Sequence, residues 1–137
     1  MKKQRVTAFL TFNGKAEEAM TFYATVFPDT KIEKLSYYGK NHPMAKDGDE
    51  NKVLHGLLSL MGQEIIFLDM VKAYPAPDFS WASSILVDCK DEAEFDLIFN
   101  ALAKNGNIMM GPEAVENIRK CAWVVDKFGV VWQPVWE

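Results

Sequence analysis

Apolar and polar residues alternate through Val6-Thr-Ala-Phe-Leu-Thr-Phe12, the pattern of a strand with one buried face. Asn13-Gly14 breaks it. Ala16, Ala19, Met20, Tyr23, Val26 and Phe27 then recur at helical spacing. Glu17 and Glu18 fall in the first turn of that helix, where carboxylates meet the positive end of its dipole, and Pro28 stops it. A second strand is expected over Lys31 to Tyr38. Gly39 to Lys52 carries few apolar residues and reads as an exposed, mobile loop. Val53 to Met61 and Glu64 to Met70 are the third and fourth strands, joined at Gly62-Gln63.

After the proline-stiffened connection Tyr74-Pro-Ala-Pro-Asp78, the same order begins again. Trp81 to Cys89 reads as a strand. Asp91 is placed to cap a helix, with Glu94 three residues on. Phe95, Ile98, Phe99 and Leu102 mark its buried face, and Asn105-Gly106 ends it. A short strand is expected around Asn107 to Met110, then a polar loop from Gly111 to Lys120. The chain closes on a hairpin, Cys121 to Pro134, turning at Asp126-Lys-Phe-Gly129, with Trp123 and Trp132 on either side of the turn.

This order predicts an α+β domain over residues 1–137, built from two βαβββ modules at about 5–72 and 79–137. Leu10 to Glu17 matches Ile85 to Glu92 loosely, and the turn Met61-Gly62-Gln63 stands where Phe128-Gly129-Val130 stands in the second half.

Charge narrows the functional classes. A net charge of −4 over 137 residues argues against a nucleic-acid partner, which selects a basic face. No apolar run approaches the ~18 residues of a membrane span, and the N-terminal pattern is a strand rather than a signal peptide. Cys89 and Cys121 read as isolated, buried, reduced thiols, which fits a cytoplasmic protein.

Among ionisable groups, His55 on the third strand and Asp69 at the end of the fourth are the candidate acid–base residues. The ordinary alternative makes His55 a structural residue and Asp69 a polar strand end. His42 lies in the loop beside Pro43 and reads as solvated. Ser80 and Ser84 share strand parity with Ala82, but no His-Asp pair accompanies them, so a serine nucleophile is unsupported. Phe67, Trp81, Trp132 and Tyr38 are candidates for an aromatic lining, with Gln133 and Ser84 as its polar contacts.

The strand end Asn13-Gly14 followed by Ala16-Glu-Glu-Ala19, Phe22-Tyr23 and Phe27 resembles the opening of a glyoxalase, bleomycin-resistance and extradiol-dioxygenase (vicinal oxygen chelate) module. The closing Asp126-Lys-Phe-Gly-Val-Val-Trp-Gln133 resembles the PhnB-like branch of that superfamily. The resemblance covers nearly the whole chain. It implies paired βαβββ modules in a half-open barrel around a cleft, and commonly a homodimer. In metal-dependent relatives the first and last strands of each module supply His, Gln or Glu ligands to one divalent ion. The corresponding positions here are Ala8, Ile66 or Phe67, Ala82 and Gln133, a set poor in donor atoms.

The expected function is therefore binding of a small molecule in the cleft with no metal ion and no cofactor. Two other readings stay open. One is a lyase, isomerase or transferase using another metal arrangement or acid–base residues, which requires His55 or Asp69 to face the cleft. The other is an interaction module whose dimer surface matters more than any pocket.

Overall fold

The computed structural model describes residues 3–137. The chain divides into two compact units, one ending at Pro77 and the other beginning at Asp78.

In the first unit, strand β1 (Ala8–Phe12) leads into helix α1 (Ala16–Val26), followed by β2 (Thr30–Tyr37), β3 (Val53–Leu60) and β4 (Gln63–Asp69). The sheet order is β1-β4-β3-β2. β1 runs parallel to β4, and the other neighbours are antiparallel. The helix buries the face expected from its periodicity, including Ala16, Ala19, Met20 and Tyr23. Its partners on the sheet include Phe67 and Phe12, whose rings stack at 5.6 Å. Each large apolar side chain so buried contributes roughly 1.5–3 kcal/mol. At Gly56 helix and sheet pack closely. A Cβ there would lie 2.9 Å from Met20 Sδ and 3.1 Å from the Phe67 Cβ.

The second unit repeats the order with β5 (Ile85–Asp88), α2 (Glu92–Ala103), β6 (Asn107–Val115), β7 (Ile118–Val125) and β8 (Val131–Trp136). Its sheet order is β5-β8-β7-β6, with β5 parallel to β8. Asp91 caps α2 as expected, accepting from the Glu94 amide at 2.8 Å. Phe95, Ile98, Phe99 and Leu102 are the buried face. The fold is thus α+β, with two βαβββ modules.

Three expectations need correction. The strand expected from Trp81 begins only at Ile85. Ser80 captures the chain first, its hydroxyl accepting from the Ala82 amide at 3.2 Å and its carbonyl from the Ser83 amide at 3.4 Å. The expected loop from Gly111 to Lys120 is instead the turn end of a β6–β7 hairpin. β6 is an edge strand exposed along most of its length, so it carries no alternating pattern, and its Pro112 is tolerated at an edge. The third concerns the segment 39–52, which is mostly exposed as expected but is anchored at one buried residue. Asp49 is fully buried within it. Its carboxylate accepts from Lys52 Nζ at 2.7 Å and from the backbone amides of Lys46 at 3.0 Å and Lys72 at 3.3 Å.

Candidate functional site

The closing hairpin sets the geometry. Asp126 and Val130 close a three-residue loop, with the Asp126 amide donating to the Val130 carbonyl at 2.9 Å. Gly129 sits at φ +91°, a conformation that side chains resist. Beyond the loop, Val124 lies opposite Trp132 and Cys121 opposite Val135. That register puts Trp123 opposite Gln133.

Faces follow from alternation. Lys120 reaches α2, its Nζ donating to Asp96 at 2.6 Å and Glu92 at 3.1 Å. Trp123, three residues along the strand, therefore faces away from the helix. Met110 of β6 pairs with Trp123, and Leu86 of β5 pairs with Gln133. Leu86, Gln133, Trp123 and Met110 thus form one row across the four strands, on the sheet face that α2 leaves uncovered.

This row is apolar but for Gln133. The Gln133 amide nitrogen donates to Ser84 Oγ at 2.6 Å, so the structure joins the two expected polar contacts directly. Trp81 stands edge-on to Trp123, with ring centroids 6.1 Å apart and planes at 85°. Trp81 is 64% exposed and Leu86 59% exposed. The Trp123 indole nitrogen is buried and has no hydrogen-bond acceptor among the described residues.

The remaining candidates lie elsewhere. Trp132 is completely buried on the helix side, its indole nitrogen donating to Asp126 Oδ2 at 2.9 Å. Phe67 is completely buried under α1, against Phe12 and Tyr23. Asp69 is 1% exposed, and its two oxygens accept from the amides of Gly14 (2.7 Å), Ala16 (3.0 Å) and Val53 (2.9 Å). It caps α1 from across the module. The Tyr38 hydroxyl donates to the Asp69 carbonyl at 2.7 Å. Burial first, then the Asp69 and Asp49 carboxylates, raise the Tyr38 pKa. His55 is exposed, with Nδ1 3.2 Å from Ser36 Oγ. It sits on the sheet face opposite Asp69, since Leu57 pairs with Ile66 and Gly56 with Phe67. The two acid–base candidates are therefore not brought together.

Residues 4–135 match the model of a family described as 3-demethylubiquinone-9 3-methyltransferase. The chain belongs to this family. It is similar to the PhnB protein of Bacillus cereus, with 38% identity, a TM-score of 0.84, and coverage of 98% of this chain and 100% of that one. Protein PA1353 of Pseudomonas aeruginosa is 26% identical, with a TM-score of 0.87 and coverage of 98% of both chains. A glyoxylase/bleomycin resistance protein/dioxygenase domain from Frankia sp. EAN1pec shares the fold, with 12% identity, a TM-score of 0.65, and coverage of 99% of this chain and 98% of that one. No curated protein matches. The family is thus the PhnB-like one, and its fold is that of the glyoxylase/bleomycin resistance domain.

A divalent ion of the kind the resemblance implies does not fit the residues present. Among the described residues no three His, Cys, Asp or Glu side chains converge on a possible metal position. Of the metal-equivalent positions, Ala8 and Phe67 lie on the α1 side of the first sheet, since Ala8 pairs with Ile65 and Leu10 with Phe67; on the other face Phe9 and Ile66 offer no side-chain donor atom, nor does Ala82, which leaves the single Gln133 oxygen. The backbone amides at both helix entrances are capped within the chain, by Asp69 at α1 and by Asp91 and Glu94 at α2.

Proposed function

We propose that this PhnB-like protein binds a small, largely apolar molecule on the face of its second sheet turned away from α2, without a metal ion. The supporting observation is the Gln133–Ser84 pair, held at 2.6 Å within an apolar row and flanked by the exposed Trp81 and Leu86. An aromatic face supplies contact area, while the paired amide supplies direction. Phe9, Ile66 and Ala82, which carry no donor atom, support the metal-free reading.

The test is an NMR titration of uniformly 15N-labelled protein with a set of flat heteroaromatic probes. Shifts are expected at the Gln133 side-chain amide and at the Trp81 and Trp123 indoles. Shifts confined to other residues, or none at all, overturn the proposal.

A homodimer in the cytoplasm completes the reading. Edge strand β6 exposes Ile108, Met109 and Val115, and its unpaired edge suits a second copy. Both cysteines are free, as in a reducing compartment. Sedimentation equilibrium at micromolar concentration should give twice the chain mass, and a single-chain mass overturns the dimer.

A further inference from the structure

Trp123 Nε1–H is a buried donor without an acceptor among the described residues. An unpaired buried donor costs about 1–3 kcal/mol, and native proteins retain few of them. The ring set against it, Trp81, belongs to the Ser80 turn rather than to a strand. With 64% of its surface exposed, that ring is thinly held.

Beside Trp123 on the sheet stands Gln133, whose nitrogen is committed to Ser84. Its Oε1 is left as an acceptor. The two strand neighbours therefore offer one donor and one acceptor, on side chains whose Cβ atoms lie about 5 Å apart. The register also places Asp88 and Glu113 on this face, opposite Val135 and Cys121. Their carboxylates disfavour an anionic ligand.

We infer that Trp81 is a displaceable cover over the Trp123 N–H, and that the ligand is an uncharged planar ring carrying a carbonyl next to an N–H or O–H. The carbonyl accepts from Trp123 Nε1, and the adjacent N–H or O–H donates to Gln133 Oε1. The ring spreads over the apolar row in the place of the Trp81 indole. This inference rests on the binding reading above and adds the ligand class and the cover.

Two measurements test it. Hydrogen exchange at Trp123 Nε1–H should be at least tenfold faster in Trp81→Ala than in the wild type, while backbone amides of β7 and β8 keep their rates. An unchanged indole rate overturns the cover. For the ligand, 2-quinolone, a flat lactam, is titrated against naphthalene, which has the same fused-ring shape without polar groups. Quinolone should bind at least tenfold more tightly and move the Trp123 Nε1–H resonance downfield. Trp123→Phe should remove that preference while keeping the ring. Equal binding of the two probes at the row overturns the donor–acceptor match and leaves the binding reading standing. An upfield indole proton that neither probe moves assigns the Trp81 ring as its acceptor and overturns the inference. Absence of any shift in the row with every flat probe removes the binding reading itself.

Discussion

Asp126 and Trp132 are joined across the closing hairpin by a 2.9 Å hydrogen bond between Asp126 Oδ2 and the indole nitrogen. The other oxygen, Oδ1, accepts from the amides of Phe128 at 2.8 Å and Val130 at 3.1 Å. One buried carboxylate thus holds the turn and the largest buried side chain of the module together.

Asp126→Ala leaves these donors without that acceptor and should cost about 2–4 kcal/mol. Asp126→Asn keeps an oxygen for the turn but sets an amide nitrogen against the indole N–H, so a loss of about 1–2 kcal/mol is expected. Urea unfolding followed by circular dichroism reads both. Equal midpoints for the wild type and the Ala variant would show that the pair contributes nothing.

Acid should loosen the segment 39–52 through Asp49. The Lys52 ammonium first, and then the Lys46 amide, lower its pKa from 3.8 to about 2. The folded form therefore binds fewer protons than the unfolded chain. The stability contributed by this group is fully present above the ordinary carboxylate value and is lost as pH falls through about 2. The Lys46 and Lys72 amide resonances should titrate with that midpoint, and Asp49→Asn should abolish the step. A midpoint near 3.8 would mean that the clasp is not formed in solution.

The thiols should be inert in the folded protein. Burial first, and then the Glu94 carboxylate, raise the Cys89 pKa to about 11, and burial also raises that of Cys121. At pH 8 only about a thousandth of such a thiol as Cys89 is thiolate, the reactive form. A disulfide dye should report no fast-reacting thiol in native protein and two in urea. Reaction of either within the mixing time would contradict this placement.

Much of this was legible along the chain because each βαβββ module writes its period twice. Both helices, the Asp91 cap and the Gly129 turn follow from local spacing and backbone preference alone. Partner choice across strands was not. Trp132 adjoins Gln133 in sequence, yet consecutive strand residues face opposite ways. The residue that shares a face with Gln133 is Trp123, at the same distance from Phe128 on the other arm. Counting the hairpin outward from a three-residue loop would have found it. Leu86 and Met110 depend on pairings with strands distant in sequence, so no local pattern marks them. Asp49 and Asp69 look like ordinary loop and strand-end acids, because the amides they satisfy come from distant turns. Ser80 cut short a strand whose composition favoured extension, since its hydroxyl competed for the chain.

The Asp69 clamp has a consequence for how the first module comes apart. The carboxylate stands at the end of the module's last strand and holds amides at the entrance to helix α1 and at the start of β3. Its beginning and end are thus tied at one point, and β1 is zipped along β4 beside it. Fraying from either side must first strand a carboxylate out of water. The helix and the final strand are therefore expected to open as one cooperative unit, with Gly14, Ala16 and Val53 sharing a single opening free energy rather than loosening in sequence.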